Sequence, residues 1–177
     1  MAHKEQIQYC KSIRERFPAY FRNNRILDVG SLDINGNNRY LFPKEDNNFY
    51  LGLDVGAGKN VDIVSPVHKL SSKNKYDFII STECFEHDKY YKDSLTKIVE
   101  LLAPNGMFLF TCATTGRAEH GTTATSPADA PFTNDYYKNL TEQDIREVLD
   151  IDSIFSEYEF SVNEKHKDLQ FYGIKKS

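Results

Sequence analysis

The chain has 177 residues, 40% of them hydrophobic, with 12 Phe and 11 Tyr. That suits one domain with a packed core and excludes a disordered chain. Its 22 Lys and Arg against 26 Asp and Glu leave a net charge of −4, the wrong sign for a domain built around a nucleic-acid backbone.

Residues 1–16 are polar and lack the apolar core of a secretory signal. Ile7, Cys10, Ile13 and Phe17 share one face of a predicted helix over 4–17, which Pro18 closes. Residues 25–30, RILDVG, read as a short buried strand ending in a turn. Residues 48–54 read as a second strand ending in an acid, 60–64 as a third and 76–81 as a fourth. Tyr91, Leu95, Ile98 and Leu102 then recur with helical spacing, and Pro104-Asn105-Gly106 ends that helix. Residues 107–111, MFLFT, form the predicted fifth strand.

Residues 112–140 break the rhythm with Gly116, Gly121, Pro127 and Pro131, and a loop longer than about 15 residues is usually functional or disordered. Thr141-Glu142-Gln143-Asp144 opens a further helix with Ile145, Val148 and Leu149 on its apolar face. Residues 153–162 and 168–175 read as an antiparallel hairpin around a polar turn at 163–167. Short apolar strands alternating with helical stretches predict an α/β fold with a mainly parallel sheet. The expected organisation is one domain over 1–177, with an N-terminal helix within 1–20 and a substrate-side loop at 112–140. No apolar run approaches the roughly 20 residues of a membrane span. Cys10, Cys84 and Cys112 are odd in number and lack metal spacing, which fits reduced thiols in the cytoplasm, with Cys84 and Cys112 in or near the core.

Three constellations carry chemistry. The first is Leu27-Asp-Val-Gly30 with its continuation to Gly36, at the end of the first strand. Glycine lets the backbone turn sharply there, where open parallel sheets bind ligands. The second is Asp54, which lies 24 positions beyond Gly30, an offset at which an acid takes ribose hydroxyls. The third is Ser81-Thr-Glu-Cys-Phe-Glu-His87, which gathers Glu83, Glu86 and His87 beside the same sheet edge. A histidine beside a carboxylate suits general-base work because its pKa lies near neutrality. Each also has a plain structural reading: a turn without ligand, a solvated aspartate, a helix cap.

Four segments together resemble the class I S-adenosylmethionine-dependent methyltransferases. They are Ile26-Leu-Asp-Val-Gly30, Tyr50-Leu-Gly-Leu-Asp54, residues 76–87 and residues 101–110, in the family order. The resemblance covers about residues 20–175 and implies a Rossmann-like seven-stranded sheet, mostly parallel, with an antiparallel C-terminal hairpin and helices on both faces. It implies S-adenosyl-L-methionine as cofactor. Asp28, Gly30 and Ser31 would face its methionine part, with Asn35 and Gly36 nearby. Asp54 would take the ribose, Val55 would touch the adenine, and Pro66 and Val67 would flank it. Thr82 and Glu83 would border the sulfonium. The sequence departs from the family at Ser31-Leu32-Asp33, where a second glycine is usual, and at Pro66, where an acid often stands.

If the acceptor is a hydroxyl, a base helps it lose its proton. His87 and His120 are the candidates, with Glu83 beside them. Glu83-x-x-Glu86-His87 also resembles a metal-binding run in some RNA 2′-O-methyltransferases and quinone-pathway O-methyltransferases. The run is common in the wider family without metal, and no metal ligand is assigned. The loop and Tyr136-Tyr137 resemble a subgroup found among glycan and surface-polysaccharide genes, so the expected acceptor is a small molecule or glycan. Selectivity would then come from the 112–140 loop, the first 20 residues, or a second copy of the chain in a homodimer. Two alternatives remain: a non-catalytic module binding S-adenosylmethionine or another nucleotide, and a nucleotide-dependent oxidoreductase. The missing G-x-G-x-x-G and the hairpin tail count against the latter.

Overall fold

Seven strands form one sheet in the computed structural model, which describes residues 3–177. They are β1 (Arg25–Val29), β2 (Phe49–Asp54), β3 (Ile63–Val64), β4 (Tyr76–Thr82), β5 (Leu102–Ala113), β6 (Phe155–Asn163) and β7 (Asp168–Lys175). Their order in the sheet is β3-β2-β1-β4-β5-β7-β6. The first five pair in parallel, and β7 lies antiparallel between β5 and β6. The expected mostly parallel α/β sheet with an antiparallel C-terminal hairpin is the one observed.

Strand side chains alternate between faces, and both faces are covered. Ile26, Phe78, Ile80, Met107, Leu109 and Tyr172 pack with Cys10 and Ile13 of α1 (Lys4–Arg16) and with Phe21, Leu41 and Phe42. Leu27, Ile79, Phe108, Phe110 and Phe171 face the other way. They meet Leu95 and Ile98 of α2 (Tyr91–Leu101), Ile145 of α3 (Glu142–Arg146) and Ile151 of α4 (Ile151–Ile154). No helix is long and apolar enough to cross a membrane among the described residues.

Three local expectations need correction. The buried face of α1 carries Gln6 rather than Ile7, because the Gln6 amide donates to Asn38 Oδ1 at 3.4 Å and to Cys10 Sγ at 3.3 Å. The fifth strand begins at Leu102, not Met107. Leu102 pairs with Tyr76, and the register shifts before Phe78 meets Met107, so Pro104 and Asn105 sit in a bulge rather than a break. The third strand keeps only Ile63–Val64, because Asn60 turns left-handed at φ +70° and its amide donates to the Ser31 carbonyl at 2.9 Å.

The chain runs from β1 outward to β3 and then crosses to β4, so strand order reverses between β1 and β4. Ligands of open α/β sheets bind in the crevice at such a point. Among the described residues no α-helix lies between β1 and β4; short 3-10 turns at Arg39–Leu41, Lys44–Asp46 and Val67–Lys69 make these connections. The crevice is therefore lined by turn backbone and side chains rather than by a helix N-terminus.

Candidate active site

The β1 turn is built by long-range bonds. Gly30 sits at φ +78°, a conformation that favours glycine. A Cβ there would also lie 2.5 Å from Cys84 Sγ, so the turns after β1 and β4 touch. Where the family has a second glycine, the Gly30 and Ser31 amides donate to the Leu53 carbonyl at 2.9 and 3.1 Å. The Ser31 hydroxyl donates to the Asn60 carbonyl at 3.1 Å. Ser31 thus ties the turn after β1 to the β2–β3 connection through its side chain.

A cavity of about 480 Å³ opens above this turn, within the range of small-molecule sites. Asp28, Gly30, Ser31, Asn35, Gly36, Asp54, Val55, Pro66, Val67, Thr82 and Glu83 all line it, and so does His87. The sequence-predicted cofactor residues therefore border a single space. Asn38, His68, Cys84, Tyr90 and Phe132 line it as well. Cys84 lies within the Ser81–His87 run; no spacing in the sequence pointed to the other four, which arrive from four separate connections.

Both Asp54 oxygens are fixed by backbone. Leu32 N–H donates to Oδ2 at 3.0 Å and Gly56 N–H to Oδ1 at 2.9 Å. Each oxygen keeps a second lone pair. Asp28 is buried in β1, with the Tyr50 hydroxyl donating to Oδ2 and no partner on Oδ1. Burial pushes its carboxyl up to about 7, against the opposing pull of the Tyr50 hydroxyl.

Glu83 turns at φ +52° and reaches under the cavity floor. The Thr111 hydroxyl donates to its Oε1 at 2.9 Å, and His3 Nε2 stands 3.6 Å from Oε2. His3 also faces Asp168 at 3.1 Å, and Arg117 completes the group with a 2.9 Å pair to Asp168. Burial pushes Glu83 up, but His3 and Thr111 outweigh it and hold the carboxyl below its usual range. Burial likewise pushes His3 down, yet Asp168 and Glu83 raise it to about 9. This cluster was not legible in the sequence, because it joins positions 3, 83, 117 and 168.

Glu86, His87 and His120 form a second group, their ligand atoms within 4.8 Å of one another. Glu86 is fully buried with neither oxygen partnered. Burial first, and the Glu83 charge second, push it up to about 8. Burial, with His120 beside it, pushes His87 down to about 4, and burial lowers His120 too. The two rings meet edge to face at 5.0 Å, and Tyr137 packs 5.0 Å from His120 and 5.5 Å from His87. His120 Nδ1 lies 3.1 Å from the Ala118 carbonyl, so Nδ1 carries the hydrogen and the buried, unpartnered Nε2 presents its lone pair.

The profile of a methyltransferase domain family matches residues 1–150, and the chain belongs to that family. Solved structures agree on the fold. The N-terminal domain of EvdMO1, solved with SAH and D-fucose, matches with a TM-score of 0.67 at 15% identity, over 99% of this chain and 85% of that one. A 1,6-didemethyltoxoflavin-N1-methyltransferase from Burkholderia thailandensis, with S-adenosylhomocysteine bound, matches with a TM-score of 0.60 at 16% identity, over 100% and 93%. The CurJ carbon methyltransferase matches with a TM-score of 0.65 at 17% identity and 97% of this chain, which spans 54% of the CurJ chain. No curated protein matches the sequence.

Proposed function

We propose that this protein is an S-adenosyl-L-methionine-dependent methyltransferase acting on a hydroxyl of a small molecule or sugar, with a neutral histidine as base. The observation that carries the proton-transfer role is His120. Its Nδ1 is held on Ala118 and its buried Nε2 has no hydrogen-bond partner; the ring is not part of the cavity lining but packs against His87, which is. The lowered pKa of both rings keeps them neutral at pH 7, the form that accepts a proton.

The cavity residues fit the cofactor. Asp28 Oδ1 is a buried acceptor without a donor, suited to the ammonium of the methionine part. Asp54, with each oxygen oriented by an amide, has lone pairs for two ribose hydroxyls. Val55, Pro66 and Val67 supply the apolar surface an adenine needs. Thr82 and Glu83 border the far end. When bound, the cofactor supplies an electrophilic methyl group. The protein's own part is to orient, exclude water and accept the acceptor's proton. Tyr137 beside both histidines offers a ring on which a sugar face could pack. In EvdMO1 a sugar was present together with SAH.

A second reading is favoured by the two orphaned oxygens of buried Glu86. Glu86, His87 and His120 offer one carboxylate and two imidazoles, a donor set that suits a divalent cation of the manganese-to-zinc series. Glu83 is turned away to His3 and Thr111 and would stand outside that set.

Calorimetry with S-adenosylhomocysteine, NAD and Mn²⁺, followed by turnover on hydroxyl acceptors, separates the readings. Micromolar binding of S-adenosylhomocysteine, weakened about tenfold or more in Asp54→Ala, is expected from loss of the two-hydroxyl contact. His120→Ala should lower turnover about a hundredfold or more with cofactor affinity kept. Preference for NAD, or unchanged turnover in His120→Ala, would refute the first reading. Mn²⁺ binding lost in Glu86→Gln would support the second.

A further inference from the structure

Gly56 does not adopt a left-handed conformation, so its turn does not demand glycine. Space does. A Cβ at Gly56 would lie 2.1 Å from Phe132 Cδ2 and 2.4 Å from Cε2. Phe132 comes from the long loop after β5, 76 positions further along the chain, and its ring rests directly on the backbone two residues beyond Asp54.

The loop is held in that position. Phe132, Asn134 and Asp135 are left-handed at φ +69°, +53° and +62°, and a bulky residue in that region persists only where its surroundings impose it. The Asp135 carboxylate accepts from the Thr123 amide at 2.6 Å, and the Thr133 hydroxyl donates to the Ala130 carbonyl at 2.8 Å. The anchoring leaves the aromatic ring exposed: Phe132 is 61% accessible. Ile34, Val55 and Tyr90 are also large, apolar, exposed and part of the cavity lining. Exposed apolar surface gathered at the mouth of one cavity marks a surface that a ligand covers.

We propose that Phe132 is a positioning residue for the cofactor nucleoside. Seated on Gly56, its ring forms the outer wall of the space beyond Asp54 and Val55, where the ribose and adenine would lie. This rests on the reading that the cavity holds S-adenosylmethionine. The same loop carries His120, and the two halves touch: a Cβ on Gly121 would lie 2.6 Å from Ala130 Cβ and 2.7 Å from His87 Cε1. One segment therefore walls the nucleoside and holds the base.

The chain contains no tryptophan, so Phe132→Trp places a single indole at the proposed wall. S-adenosylhomocysteine should change its emission at the concentrations that saturate the calorimetric signal. Phe132→Ala should weaken S-adenosylhomocysteine binding about tenfold, as loss of one base–aromatic contact predicts, and Phe132→Tyr should restore it. The apo melting temperature should stay unchanged in all three, since the ring is exposed. At saturating cofactor, Phe132→Ala should retain most of its turnover, so the defect appears in cofactor KM rather than kcat. Equal affinity of wild type and Phe132→Ala would overturn the proposal, as would calorimetric binding by Phe132→Trp without any change in emission. Failure of the wild-type chain to bind S-adenosylhomocysteine would overturn the cavity reading, and the proposal with it.

Discussion

Replacing Asp28 with asparagine should stabilise the empty protein at alkaline pH. Asp28 lies in β1 between Gly52 of β2 and Ile80 of β4, and 1% of it is accessible. Its carboxyl rises from an ordinary 3.8 to about 7, chiefly through burial. A raised folded-state pKa means that the native state binds the proton more tightly than the unfolded chain. Its contribution is fully present below about pH 3.8 and is lost as pH climbs through 7. Integrated over that interval, the shift amounts to about 4 kcal/mol as an upper bound. Asparagine keeps an acceptor for the Tyr50 hydroxyl and has no charge to bury. Urea denaturation of both proteins at pH 4 and pH 8 would measure it. The advantage of Asp28→Asn should grow by about 2–4 kcal/mol between the two, with m unchanged. S-adenosylhomocysteine should bind the variant more weakly, because its ammonium loses the ionised partner. A constant difference between the proteins at both pH values would refute the reasoning.

Two further changes probe the scaffold. Gly30→Ala forces a Cβ to within 2.5 Å of Cys84 Sγ at a left-handed φ of +78°. It should cost about 2–5 kcal/mol in denaturation, and Cys84→Gly in the same chain should recover part of that loss. His3→Gln should remove the fall in stability that the wild type shows as pH rises through about 9, since raised His3 stabilises only while protonated. Hydrogen exchange should then quicken in the first turn of α1, because the His3 pairs to Asp168 and Glu83 fix the start of that helix. Unchanged protection there would separate His3 from the anchoring of the helix.

The central parallel strands β1 and β4 were legible because they are buried on both faces and read as short, largely apolar runs, ILDV and DFIIS, and the half-buried β2 because YLGL precedes its terminal acid. The cavity lining was legible for a related reason. It sits where β1, β2 and β4 end, so residues just after each run had to meet. What stayed hidden depends on chain segments that no period relates. Gln6 replaced Ile7 on the buried face of α1 because Asn38, 32 positions away, offers its amide oxygen. The bulge at Pro104–Asn105 was read as a break because proline removes a donor, while pairing resumes beyond it. Glu83 was expected beside the sulfonium and the candidate bases, yet its carboxylate meets His3 and Arg117, which come from the N-terminal turn and the long loop.

The shifted groups share one cause with a consequence for ligand charge. Burial raises Asp28 and Glu86 and lowers His87 and His120, which moves all four toward their neutral forms and leaves Asp28 about half-ionised at pH 7. The ionised Glu83 is balanced by protonated His3. The site thus avoids isolated buried ions, which are costly. Outside the His3 cluster, two buried carboxyls keep oxygens without hydrogen-bond partners, Asp28 at Oδ1 in β1 and Glu86 at Oε1 and Oε2 after β4. These flank the point where strand order reverses. A cationic or donor-bearing ligand in the cavity would pair with Asp28 and draw its proton off, whereas Glu86, which does not line the cavity, answers only to a group bound beside His87 and His120. The scaffold therefore favours a hydrogen-bond donor or a positive charge beside Asp28, and it does so through desolvation rather than through net charge.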